Sequence, residues 1–227
     1  MQLAPQIHVA ECGPRAVVMD VARDRYFALN PALTEALRDL RAAPGPDEAA
    51  ARARHPAALS SLLARGVLIE AAGESGPRPP PAPPAPPAPP ERSAWPTIGP
   101  AASAPLGRQA AALAALATAA RLLRRPQLTR TLDGAKARAT RRAQPSGELE
   151  DLLNSFRQAR PWFPATPICR LDALGLFIFL NSCGHPARWT FGVRLEPFQA
   201  HCWVQLGDRA VNEAAEGVRQ YVPILAV

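Results

Sequence analysis

Apolar and polar positions change period several times along this 227-residue chain. Between Ile7 and Leu29 they fall into short runs bounded by turn signals. Ile7–Ala10 leads to Gly13-Pro14, Arg15–Val21 runs to an Ala22-Arg23-Asp24 turn, and Arg25–Leu29 returns, which predicts three strands. At Asn30-Pro31 the spacing becomes helical, with Asn as N-cap and Pro at the first helical position. Leu33, Leu37 and Leu40 mark the first helix, which Pro44-Gly45-Pro46 ends. Asp47 caps a second helix to Arg54. Leu59, Leu62 and Leu63 mark a third, with Gly66 past its end and a short strand Val67–Glu70 beyond. Three strands and three short helices describe a small winged-helix-like α+β domain over residues 1–72.

Pro77–Pro90 carries ten of the 27 prolines. It offers few backbone donors and favours polyproline II, a stiff spacer of roughly 40 Å at ~3.1 Å per residue. A linker over 73–96 and a second domain over 97–227 follow. Ser103–Arg125 reads as an Ala/Leu helix stopped by Pro126. Leu128–Leu132 with Lys136–Arg142 reads either as a weaker helix or as a mobile basic segment. Glu148–Arg160 is amphipathic, with Leu149, Leu152, Leu153 and Phe156 on one face. The helix after Thr166-Pro167 is apolar nearly all round and ends at Asn181–Gly184. Trp189–Arg194, Ala200–Leu206 and the run through Asn212-Glu213 read as strands.

The formal net charge of +7 adds little to this picture. Nearly all of it is arginine, Lys136 being the single lysine, and no aromatic–basic interleaving accompanies it. The third helix of the first domain carries only Arg65 near its end, a poor recognition helix for DNA. No nucleic-acid partner is expected. Cys12, Cys169, Cys183 and Cys202 form no Cys-x-x-Cys pair, so no metal site is expected. No signal peptide and no membrane-length apolar run is present, which makes a reducing cytoplasm the expected compartment and a membrane an unexpected partner.

The chemistry concentrates in the last third. Thr166 can cap a helix whose first turn holds Pro167 and Cys169, where unpaired amides stabilise a thiolate and can hold an oxyanion. The competing reading is a buried structural cysteine. His201 follows 32 residues later on a strand, and Asn212 and Glu213 lie on the next. A helix cysteine followed by strand histidine and an amide or acid is the order of a papain- or transglutaminase-type thiol catalyst. Turn length decides the third member. If Gly207-Asp208 forms a two-residue hairpin, Trp203 pairs with Asn212 and Asn212 shares a face with His201; a three-residue loop places Glu213 there instead. Cys202 points away from His201 by strand alternation and belongs to the core. Cys183 is expected to be inert, His185 exposed and unpartnered, and His8, His55 and Cys12 without function.

Two stretches resemble known families. Ala16–Pro31 (A-V-V-M-D-V-A-R-D-R-Y-F-A-L-N-P), with Leu62–Leu68 (L-L-A-R-G-V-L) after the helices, resembles the peptide-recognition domain of the pyrroloquinoline-quinone chaperone type. The resemblance implies a leader peptide grasped as an added strand between Arg25–Leu29 and Leu59–Leu63, with Tyr26, Phe27 and Leu62 as candidate contacts. C-R-L-D-A-L-G-L, G-H-P-A-R-W-T-F-G-V-R, P-F-Q-A-H-C-W-V-Q and V-N-E, with Tyr221, resemble the transglutaminase-like cysteine protease of lasso peptide biosynthesis, over about Phe156–Val227. That resemblance implies an α+β cysteine protease domain with Cys169, His201 and Glu213 as catalytic residues. Glu213 departs from the usual aspartate, so Asn212 stays in play. Trp203 matches an aromatic that either shields the histidine–acid bond or fills the core.

Together the resemblances imply a leader peptidase fused to its recognition domain. Its partners would be a lasso precursor peptide and an asparagine-synthetase-like cyclase. It would need no cofactor of its own, any ATP requirement entering through the cyclase. The alternatives are a non-catalytic precursor chaperone and an acyltransferase that passes the acyl group to an amine.

Overall fold

The structure is a computed structural model and describes residues 1–42, 47–70, 86–94, 103–124, 127–139 and 146–227. The Pro44-Gly45-Pro46 break, the Asp47 side chain, most of the proline-rich linker, the domain start near Thr97, Pro126 and Arg141-Arg142 lie outside the described residues. The fold is mixed α+β, and the chain divides into two compact units, Met1–Ala85 and Pro86–Val227.

In the first unit, β2 (Ile7–Cys12), β3 (Arg15–Asp20) and β4 (Arg25–Ala28) form an antiparallel sheet in that order, which leaves β4 at an edge. Asn30 caps α1 (Pro31–Ala42) as the sequence implies: the Leu33 amide donates to its Oδ1 at 2.9 Å. Thr34 Oγ1 donates to the Asn30 carbonyl and accepts from the Ala16 amide, tying helix to sheet. Helices α2 (Asp47–Arg54) and α3 (Pro56–Ala64) follow. Gly66, at φ 68°, closes α3 with the Gly66 and Val67 amides donating to the Leu63 and Leu62 carbonyls. Strand β5 (Leu68–Ile69) then pairs with β1 (Gln2–Leu3), a partner too short to announce itself in the sequence pattern. Val18, Leu29, Leu37, Leu59, Leu62 and Leu68 meet in the core.

The second unit begins earlier than the residue pattern implies. Within Pro86–Ala94, β6 (Arg92–Ser93) runs parallel to β9 (Arg209–Ala210) and completes a five-stranded sheet. The strand order is β10 (Val222–Ala226), β7 (Arg188–Arg194), β8 (Gln199–Leu206), β9, β6. The prolines before β6 hid it, because two residues of strand carry no periodicity. Helices α4 (Leu106–Leu123), α5 (Leu128–Ala139) and α6 (Leu149–Ala159) precede α7 (Cys169–Ser182). The segment open to two readings is therefore helical through Ala139. Helix α7 packs against both α4 and β8, which explains its lack of a polar face. A short α8 (Ala215–Arg219) leads into β10.

Candidate active site

The N-terminus of α7 brings the thiol to the sheet. Cys169 is the first helical residue, two positions closer to the helix start than a Thr166 cap implies. The N-cap position belongs to Ile168, with no side-chain cap, so Thr166 does not serve as cap. The segment before α7 is instead anchored by Arg160. Its Nε donates to Asp172 Oδ1 at 2.5 Å and its guanidinium reaches the Phe163 and Ala165 carbonyls. As a first-turn residue, Cys169 has a backbone amide with no acceptor inside its own helix.

Cys169 is exposed, and its Sγ meets two neighbouring residues of β8. The Cys202 thiol donates to it, His201 hydrogen-bonds it, and the Cys202 backbone amide points at it as well. These contacts outweigh desolvation and hold the thiol at a pKa of about 4. His201 is raised to about 9, first by the hydrogen bond to Cys169 and then by Glu213, against the opposing effect of burial. Cys202 moves the other way: the adjacent Cys169 sulfur and burial raise its pKa, so it stays a neutral donor. Thiolate and imidazolium therefore coexist between about 4 and about 9.

A pH profile should follow directly. Reactivity of the pair rises as pH passes upward through about 4, where Sγ loses its proton. It falls as pH passes about 9, where the imidazolium loses its own. Ultraviolet thiolate absorbance of the full chain, compared with Cys169→Ala, checks the first limb. A thiol that titrates near the ordinary value of about 8.5 would contradict the ion pair.

Glu213 Oε1 lies 2.7 Å from His201 Nε2, which leaves Nδ1 for the thiol side. The side chain in contact with the imidazole is thus that of Glu213 and not that of Asn212, for a reason the turn argument could not contain. The hairpin does have a two-residue loop, with Gly207 at φ 59° and Leu206 paired with Arg209. Strand β9 nevertheless stops at Ala210. The chain bends at Asn212-Glu213, so strand alternation no longer governs which side chain reaches His201. Ser93 Oγ holds the Glu213 carbonyl at 2.8 Å, a contact from β6 that the sequence did not suggest.

Two aromatic rings fix the imidazole from behind. Trp203 stacks at 6.4 Å between centroids and Tyr221 lies at 5.2 Å. Trp203 is fully buried, with Nε1 donating to Gln205 Oε1, so it both fills the core and backs the histidine. Gly192 makes this possible: a Cβ there would lie 2.6 Å from Trp203 Cζ3 and 2.9 Å from Tyr221 Cβ. Gly192→Ala should cost about 1–3 kcal/mol in urea unfolding and displace His201's backing. A wild-type unfolding midpoint would mean that the rings yield without cost.

Beside Cys169 opens a cavity of about 400 Å³ with Phe156, Pro161 and Leu176 among its apolar walls and Asn212 and Glu213 at its polar side. In the first unit, a cavity of about 320 Å³ is lined by Arg25, Tyr26, Phe27 and Arg65 along the β4 edge. It takes in Tyr26 and Phe27, two of the three expected leader contacts. Leu62 is fully buried in the core and is not among its walls. The remaining histidines have partners that sequence spacing did not reveal. His55 Nε2 lies 3.0 Å from Asp39, and His185 Nε2 lies 3.1 Å from the Gly147 carbonyl. His185 is thus not unpartnered. Cys183 caps the C-terminus of α7. Among the described residues no cluster of histidine, cysteine and carboxylate side chains could hold a metal ion, and no helix is long and apolar enough to cross a membrane.

Residues 110–226, about half of the chain, match the family described as the transglutaminase-like superfamily. The chain belongs to the transglutaminase-like superfamily. The match ends one residue short of the C-terminus and spans α7, β8 and the Asn212-Glu213 bend, so Cys169, His201 and Glu213 all fall inside it. A transglutaminase-like domain is of cysteine-peptidase type, and acyl transfer is the chemistry that a thiolate, an imidazolium and an amide-bearing helix start can carry out. No curated protein and no solved structure matched the chain.

Proposed function

We propose that this protein is a cysteine peptidase that removes the leader from a lasso precursor peptide. The observation that carries the catalytic part is the contact of Cys169 with His201, itself bonded to Glu213 at 2.7 Å. Cys169 Sγ attacks the scissile carbonyl, and the carbonyl oxygen takes the charge beside the Cys169 amide. His201 gives its proton to the departing amine, the new N-terminus of the core. Water, deprotonated by His201, then splits the thioester and releases the leader carboxylate. Glu213 holds the imidazole throughout. The freed core amine becomes the nucleophile for macrolactam closure by an asparagine-synthetase-like cyclase, in the cytoplasm where precursor and cyclase are made. Any ATP is consumed by that partner.

The first unit supports a delivery role. Strand β4 is an edge of its sheet, where a leader segment can pair as an added strand, with Tyr26 and Phe27 lining the adjacent cavity. The test is mass spectrometry of the precursor incubated with the full chain, with and without the cyclase. A leader fragment ending in a free carboxylate, together with an intact core, is expected. A leader joined to an added amine would identify an acyltransferase instead. An uncut precursor that still binds would identify a chaperone.

A further inference from the structure

The bend that delivers Glu213 to His201 is held at the Glu213 carbonyl by Ser93 and at the open end of β8 by the Asn212 side chain. In an antiparallel strand, the N–H and C=O of a given residue point to the same side. The Val204 carbonyl accepts from the Val211 amide at 3.0 Å, so the Val204 amide faces the same neighbour. With β9 ended at Ala210, that amide is taken by Asn212 Oδ1 at 2.8 Å. Only an oxygen can accept there, which turns Nδ2 the other way. Nδ2 in turn donates to Glu213 Oε1 at 3.3 Å, the same oxygen that holds His201.

We infer that Asn212 is a positioning residue: its side-chain amide joins the open end of β8 to the Glu213 carboxylate and thereby sets how firmly Glu213 holds His201. The inference rests on Cys169, His201 and Glu213 working together. An alanine at 212 would leave the Val204 amide without its acceptor and Glu213 free to rotate away. The charged and titratable groups around the site are few. His201 is faced by Cys169 from α7, by Glu213, and by Tyr221, over whose ring Arg194 sits. The cavity beside Glu213 adds Arg157 and the Arg160–Asp172 pair. Asn212 donates to the Glu213 carboxylate without adding a charge to this set.

The experiment follows the His201 imidazole by NMR in the full-length protein labelled with [¹⁵N]histidine, its signal assigned by loss in His201→Ala. Asn212→Ala should lower the proton affinity of His201 about tenfold. Glu213→Gln should lower it at least as much, and adding Asn212→Ala to Glu213→Gln should change nothing further, because the route from Asn212 to His201 has gone. An unchanged His201 titration in Asn212→Ala, or an undiminished second shift in the double variant, overturns the inference. Asn212→Asp guards against a folding failure, since it keeps the acceptor for Val204. It sets two carboxyls side by side, which resist ionising together. His201 should then show an extra inflection at acid pH, and its absence overturns the inference too. None of these measurements needs a peptide, so a failed leader-cleavage assay would not be mistaken for a failed role of Asn212.

Discussion

Cys169→Ala is expected to abolish cleavage of the precursor while leaving the fold intact. Cys169 is an exposed first-turn residue, so truncating its side chain opens no core cavity. What it removes is the group that forms the covalent bond. Losing a nucleophile of this kind costs at least about 10⁴-fold in kcat, equivalent to about 5.5 kcal/mol of barrier. The remaining groups can still bind and polarise the carbonyl but cannot form the acyl intermediate. Cys169→Ser separates nucleophile from mere shape: its hydroxyl does not ionise at a pKa of about 4 as the thiol does, so it too should lie far below wild type. Cleavage by Cys169→Ala at more than about a hundredth of the wild-type rate would remove the thiol from the mechanism. Precursor binding by the same variant should be unchanged, since that role is assigned to the first unit.

Much of this site was legible in the sequence because its residues sit on elements with strong local signals. The apolar run from Leu171 to Leu180 marks a buried helix, which is found as part of α7, so the thiol at its head is easy to locate. His201 lies in β8, a long strand with a clear pattern. The acid was harder. Choosing between Asn212 and Glu213 by register assumed a strand that continues, and β9 stops at Ala210. A side chain that replaces a ladder hydrogen bond, as Asn212 does at Val204, leaves no mark in hydrophobic periodicity. Cys202 shows a different limit. Alternation correctly places it in the core, but not that the core at this point touches the helix end carrying Cys169. Adjacent prolines hide strand β6 and its Ser93, and the sequence places Leu62 at a groove wall because spacing alone does not separate a core leucine from one that borders a cavity.

Where to cut the chain follows from β6, and with it the second large effect. Starting a fragment at Thr97 would delete β6, with the Ser93–Glu213 and Arg92–Asp208 contacts, and would damage the catalytic unit itself. A fragment from Pro86 keeps the compact second unit whole. If the first unit delivers the leader, covalent attachment presents the cleavage junction at roughly millimolar effective concentration. Removing Met1–Ala85 should then raise the apparent KM for the full precursor about 10²–10³-fold with kcat little changed. A short peptide spanning only the junction should be cut equally by the fragment and the full chain, because it never used the first unit. Adding the first unit as a separate protein should not restore cleavage at low micromolar precursor, since it captures the leader without holding it near Cys169. Undiminished cleavage of the full precursor by the fragment would exclude delivery by the first unit, and a loss in kcat on the short peptide would instead place part of the catalytic support before Pro86.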